Sequence, residues 1–161
     1  RLKEINPQVV FVFIGDGEPL WLRQLRDLAD ELGIIDSLHW LDASRNIEYA
    51  LNGIDILTVS STSGEGFPNI IGEAMATSTA IVATDVGENG VLLQGVGLVV
   101  PRNNHGKLAE AWQLLITNPT DREHLGELAK KKVVSEYSIE TMVKRTEVAF
   151  QSVVSKELKL S

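Results

Sequence analysis

The sequence predicts an α/β fold in which helices cover both faces of a parallel sheet. Three observations carry this. Short runs of β-branched and apolar residues alternate with segments of helical spacing. The first run (VVFVFI) is continuously apolar, which is how a strand buried on both faces reads. The segments between runs are long enough for right-handed crossover helices, so neighbouring strands are expected parallel.

Residues 9–14 form the first strand, and Gly15-Asp16-Gly17 turns the chain. Residues 18–32 have helical spacing, with Leu22, Leu25, Leu28, Ala29 and Leu32 on one stripe and Gly33 as the stop. Residues 38–41 are a second strand. Ser44 is a candidate N-cap for a helix over 45–52, and Gly53 ends it. Residues 54–59 are a third strand, followed by a Ser- and Gly-rich loop over 60–67. Pro68 or Asn69 opens a helix through Ala76. Residues 79–83 are a fourth strand, 85–95 hold a short helix or turn, and 98–100 are a fifth strand. Asn103 or Asn104 caps a helix through Ile116, which Asn118-Pro119 stops. The remainder is helical over 121–136. A last helix after Ser138 places Ile139, Met142, Val143, Thr146, Ala149, Phe150 and Val153 on one face, and residues 156–161 are expected to fray.

A chain of 161 residues suits one domain, 1–161, with a core of its own. Apolar residues at 43% and charged residues at 23% exclude a disordered or collagen-like chain. No apolar run reaches the length of a membrane span. With no cysteine, a disulfide scaffold, a thiolate metal site and a cysteine nucleophile are excluded; a reducing, cytoplasmic location fits. His39, His105 and His124 are too scattered for a metal site. His39 is expected to pack or hydrogen-bond at a strand edge, and the other two to be solvated at helix ends. Trp21, Trp40 and Trp112 read as packing residues, and Lys130–Lys132 as a solvated helix face. The net charge of −7 argues against a nucleic-acid partner.

The charge is uneven. Residues 61–106 carry one cation, Arg102, against Glu65, Glu73, Asp85 and Glu88. The N-terminal RLKEINPQ places Leu2 and Ile5 on one helical face before Asn6-Pro7. It reads as the end of a helix, so the chain is expected to be a piece of a longer protein.

In an open parallel sheet, ligands sit beyond the C-terminal ends of the strands. The loops to inspect are therefore 15–18, 41–45, 60–69 and 84–90. Residues 60–76 (SSTSGEGFPNIIGEAMA) are the informative stretch. A flexible Gly-Glu-Gly segment leads into a helix start whose first amides lack intrahelical partners and whose dipole is positive, which suits a phosphate. Glu65 and Glu73 can each accept two hydroxyl hydrogen bonds, which suits a sugar or ribose diol. On this pattern alone, Glu65 reads equally as a solvated loop residue and Glu73 as a residue answering the helix dipole.

Residues 65–76 (EGFPNIIGEAMA) resemble the E-x7-E signature of the retaining glycosyltransferases of group 1, a GT4-like family with the two-domain GT-B architecture. The likeness covers nearly the whole chain. VVFVFIGDG at 9–17, ALNGIDILTVSS at 50–61, TAIVATDVG at 79–87, VGLVVP at 96–101 and Tyr137-Ser138 resemble further family segments in the family's order.

The resemblance implies a Rossmann-like, three-layer α/β/α domain, the C-terminal half of a GT-B fold lacking its first strand. It implies glycosyl transfer from a UDP-, GDP- or ADP-sugar with retention of configuration and without a metal. Glu65 is the catalytic candidate, binding hydroxyls of the donor sugar. Backbone of Gly66, Phe67, Pro68, Asn69 and Ile70 would meet sugar hydroxyls and the distal phosphate, and Glu73 the ribose. Backbone at Trp40, Leu41 and Asp42 would face the base, beyond the Gly15 and Gly17 turn. The leaving phosphate would assist deprotonation of the acceptor. Partners implied are the nucleotide sugar and an N-terminal acceptor-binding domain of the same protein, absent here. Any contact with the inner face of a membrane would come through that domain.

The family's Arg and Lys that clamp the diphosphate stand on its first strand and following loop, so these cations are expected upstream of Arg1. Asp42 stands where the family usually has Gly, and Gly87-Glu88-Asn89-Gly90 replaces its Gly-Gly turn. Base and sugar therefore stay open. Two alternatives remain: a non-catalytic scaffold of the same shape, and an NAD-binding Rossmann fragment. The latter lacks its third glycine, since Leu20 stands there, and Asp42 comes too late for the ribose acid.

Overall fold

The computed structural model describes residues 2–64 and 66–157. Of the fraying expected at 156–161, residues 156 and 157 still belong to the last helix, and 158–161 lie outside the described residues. The chain divides into two compact units, Arg1–Ile47 and Glu48–Ser161.

The first unit holds α1 (Leu2–Ile5), β1 (Phe11–Ile14), α2 (Pro19–Glu31), a 3-10 turn at Ile35–Ser37 and β2 (Leu38–Leu41). β1 and β2 are parallel, with Phe11 opposite Leu38 and Ile14 opposite Leu41. Pro19 opens α2, where its missing N–H costs nothing. Gly33 ends it with a positive φ of 64°. The amide of Ile34 donates to Ala29 O and that of Gly33 to Asp30 O, a Schellman closure that satisfies two of the last carbonyls.

The apolar burial expected in this unit is not observed. Val12 and Phe13 of β1 are 40% and 44% exposed, and Leu25, Leu28 and Leu32 of α2 are exposed too. Of the predicted stripe only Ala29 is buried. A two-stranded sheet with one crossover helix offers too little surface to cover these side chains. Trp21 and His39 are likewise exposed rather than packed.

The second unit contains most of α3 (Ile47–Asn52), then β3 (Ile56–Val59), α4 (Asn69–Ala76), β4 (Ala80–Thr84), α5 (Asn89–Leu92), β5 (Leu98–Val100), α6 (His105–Thr117), α7 (Pro119–Glu136) and α8 (Ile139–Glu157). Its strands form a second parallel sheet in the order β3-β4-β5. The α/β class with parallel strands is thus as the sequence predicts, with the strands divided between two sheets. Ser44 does not cap α3: its Oγ accepts from the Asn46 amide, and the helix begins at Ile47.

β4 lies in the centre and is buried along its whole length. One face of the sheet, through Ala80, Val82 and Val100, packs against Ala111 and Leu115 of α6. Ile71 and Met75 of α4 are fully buried, and α4 and α7 both pack against β4. α7 crosses the chain at Ser78 so closely that a Cβ on Gly126 would lie 2.0 Å from Ser78 O. Only glycine permits that approach. Asn104 caps α6 through a bond accepted from the Lys107 amide, 3.0 Å, as expected for one of its two candidates. Lys132 is not simply solvated: its Nζ donates to the carbonyls of Val91 and Gln94, at and just past the end of α5. The apolar face of α8 is formed as expected but exposed, Ile139 at 73% and Phe150 at 69%.

Candidate functional site

In the second unit the three parallel strands bring their C-terminal ends to one edge, and the loops that follow them are cross-linked there. Thr84, at the end of β4, donates from its hydroxyl to Ser61 O at 2.6 Å, with Val59 O at 3.3 Å. The Asp85 amide donates to Val100 O at 2.8 Å, tying the β4 loop to β5. The Glu88 amide reaches Gly66 O at 3.4 Å, and Arg102 Nη1 reaches Thr62 O at 3.4 Å. The loops after β3, β4 and β5 therefore form one ledge. Asn89 is fully buried beneath it, and its Nδ2 donates to Thr84 O at 3.0 Å.

Above this ledge stands the N-terminus of α4. Pro68 is its N-cap residue, buried and with extended backbone (φ −71°, ψ 112°), and offers no side-chain cap. A proline in that place has no oxygen with which to satisfy the first amides of the helix. Gly66, Phe67 and Asn69 are exposed and Ile70 is half-buried. Gly64 has a positive φ of 83°, which permits the chain to turn between β3 and the helix. Glu73 is exposed on α4, one turn after its start. The arrangement presents amides, a positive helix end and the exposed Glu73 carboxylate on an accessible edge, where Asp85 and Glu88 are exposed as well; amides and carboxylate together suit an anion bearing neighbouring hydroxyls. Glu65 lies outside the described residues.

Phe67 departs from the rest of its loop. Its ring lies over Gly72 of α4, where a Cβ would meet Phe67 Cε1 at 3.3 Å. It also packs against Tyr137, with ring centroids 5.3 Å apart and planes at 55°. Beyond it opens a groove of about 570 Å³ lined by Phe67, Tyr137, Met142, Arg145, Ala149 and Phe150. This groove contains a single residue of the predicted site, so its apolar lining belongs with α8 rather than with the helix-start amides.

In the first unit, Gly15 has φ 138°, in the region that favours glycine, and its amide donates to Leu41 O at 3.0 Å. Gly17 faces Leu22, which a Cβ would meet at 3.4 Å. Asp16 Oδ1 accepts from the Ala43 amide at 3.4 Å, binding the two strand-end turns together. Trp40 stacks on Phe13 at 4.5 Å with planes 14° apart, and Arg26 lies 5.5 Å from its ring centroid. Leu41 and Asp42 are exposed. Among the described residues, Trp40 Nε1 and Asn89 Oδ1 are buried without a hydrogen-bond partner.

Sequence reasoning missed Thr84, Asn89 and Tyr137 as supports of the site. Threonine at a strand end and asparagine at a short helix start are too common to signal such a role. No group of His, Cys, Asp or Glu able to hold a metal occurs among the described residues, and none of their helices is long and apolar enough to cross a membrane.

The model of the family described as glycosyl transferases group 1 matches residues 1–132. An exopolysaccharide phosphotransferase of Streptomyces coelicolor is 33% identical over 147 residues, covering 88% of this chain and 15% of that protein. A phosphatidyl-myo-inositol mannosyltransferase of Mycobacterium leprae is 33% identical over 122 residues, covering 72% of this chain and 30% of that protein. The chain thus spans a minor part of these relatives. Among solved structures, Anabaena HepE in complex with UDP has a TM-score of 0.86 at 22% identity, over 91% of this chain and 42% of that one. The C-terminal domain of a group 1 glycosyl transferase, LpcC of Francisella tularensis, has a TM-score of 0.77 at 22% identity, over 86% of this chain and 74% of that one.

Proposed function

The chain belongs to the group 1 glycosyltransferases, and from that premise we propose that it is the donor-binding domain of a retaining, GT4-like enzyme that takes a hexosyl unit from a nucleotide diphosphate sugar. The observation that carries the reading is the start of α4, whose N-cap Pro68 supplies no side-chain cap, exposed at the strand-end ledge with Glu73 one turn behind it. The amides of Gly66, Phe67, Asn69 and Ile70 would hold the distal phosphate and sugar hydroxyls, and Glu73 the ribose diol. Glu65 would bind the sugar's hydroxyls as the catalytic residue.

In the reaction the bond from the anomeric carbon to the diphosphate oxygen breaks, and a bond to the acceptor oxygen forms on the same face. The acceptor's proton passes to the leaving diphosphate. The protein's part is to hold the diphosphate in place and stabilise its growing negative charge, which helix-start amides do without rearranging. No metal has a part in this proposal. Residues 61–106 bring only Arg102 as a cation. We place the remaining positive charge, and the acceptor-binding domain, in sequence upstream of Arg1. Donor binding in the reducing cytoplasm, with biosynthesis of a polysaccharide or glycoconjugate as the pathway, completes the reading.

Titration of the 15N-labelled chain with UDP, UDP-glucose, GDP- and ADP-sugars tests it. Shifts are expected at 60–76 and 84–90. Shifts confined to other loops overturn the site.

A further inference from the structure

We propose that Tyr137 is a positioning residue for the donor loop: together with Gly72 it forms the seat that fixes Phe67, and through Phe67 the amides of Gly66 and Asn69. The consequence for catalysis rests on the donor-binding reading above; the seat itself does not.

The loop before α4 has three fixed points. Upstream, Gly66 O accepts from the Glu88 amide at 3.4 Å. Downstream, Pro68 is buried and begins the helix. Between them the Phe67 ring packs on Gly72 and Tyr137. The first fixed point is a long hydrogen bond, and Gly64 and Gly66 add backbone freedom, so the loop needs the aromatic contact to hold its amides in one arrangement.

Tyr137 is well placed to provide it. It is the C-cap residue of α7, its amide donates to Val133 O at 2.9 Å, and Ser138 beside it caps α8 by accepting from the Thr141 amide at 3.2 Å. The ring is thus mounted on the corner between two long helices. A tilted pair at 5.3 Å is an attractive aromatic geometry. At position 72 any side chain crowds the ring, since its Cβ would approach Cε1 to 3.3 Å. Phe67 therefore acts through its ring as an anchor and through its backbone as a ligand.

The test uses the 161-residue chain and the variants Tyr137→Leu, Tyr137→Phe and Gly72→Ala. Tyr137→Leu keeps apolar bulk, so the fold is retained while the ring contact is lost. The first readout needs no ligand: the heteronuclear NOE of the Gly66, Phe67 and Asn69 amides. It should fall in Tyr137→Leu, stay at the parent value in Tyr137→Phe, and remain unchanged throughout β4 in all variants. The Gly66 and Asn69 amides should also shift in Gly72→Ala. The second readout is UDP affinity, expected to weaken roughly 2- to 10-fold in Tyr137→Leu and to be restored by Tyr137→Phe. Unchanged loop amides in Tyr137→Leu overturn the proposal, as does a Tyr137→Phe chain as loose as the leucine variant. A loop that loosens in a chain whose 60–76 resonances ignore UDP supports the seat and counts against the donor reading alone.

Discussion

The hydroxyl of Thr84 donates to the carbonyl of Ser61 at 2.6 Å, across 23 residues of sequence. Thr84 is only 4% exposed and its Oγ also lies 3.3 Å from Val59 O. One buried hydroxyl at the end of the central strand thus determines how the loop after the neighbouring strand leaves the sheet. Thr84→Val keeps the shape and removes the donor. We expect a loss of about 1–3 kcal/mol in urea unfolding and broadened resonances over 60–66. A valine variant with unaltered loop resonances would show that the backbone alone sets the path.

Gly126→Ala should be far more damaging than a helix propensity scale implies, because alanine is the better helix former. The new methyl would lie 2.0 Å from Ser78 O. Relief requires α7 to move off the chain entering β4. A destabilisation of about 3 kcal/mol, or failure to fold, is expected in thermal unfolding.

Ile71→Ala removes a fully buried side chain from the inner face of α4. A cost of about 2–5 kcal/mol is expected. Because α4 carries the candidate anion site at its start, UDP binding should weaken in parallel with stability, whereas Glu73→Gln should weaken binding without lowering the unfolding midpoint. That contrast separates support of the site from contact with its ligand.

Glu73→Ala and Glu65→Ala are to be assayed in the full-length enzyme. A carboxylate bonded to a ribose diol contributes about 1.5–3 kcal/mol, so Glu73→Ala should raise the donor KM by roughly 10- to 100-fold. Glu65→Ala should act mainly on kcat. Full activity in both variants would favour a non-catalytic scaffold of the same shape.

Most elements were legible in the sequence because their signals are local. β2, α4 and β5 stand at the predicted residues, since Pro68, Asn69 and the apolar runs mark their limits. Local spacing was a poor guide to burial. The VVFVFI run reads as a core strand, yet β1 is half exposed, while AIVAT in β4 is buried throughout. Composition hardly distinguishes the two. The number of neighbours does: β4 has a strand on each side and packs against helices α4, α6 and α7, whereas among the described residues β1 pairs with β2 alone.

The residue types able to hold an anion and a diol, and the helix start that presents them, follow from the order of residues over 60–76 alone, because capping and dipole effects act within one turn. What steadies that loop does not. Thr84 reaching Ser61, Glu88 reaching Gly66, Arg102 reaching Thr62 over 40 positions, and Phe67 resting on Tyr137 are contacts between distant parts of the chain. No periodicity encodes such pairs. They arise only when parallel strands bring their ends to one edge and α7 returns beneath α4, so the tertiary structure decided which side chains hold the site and which merely lie near it.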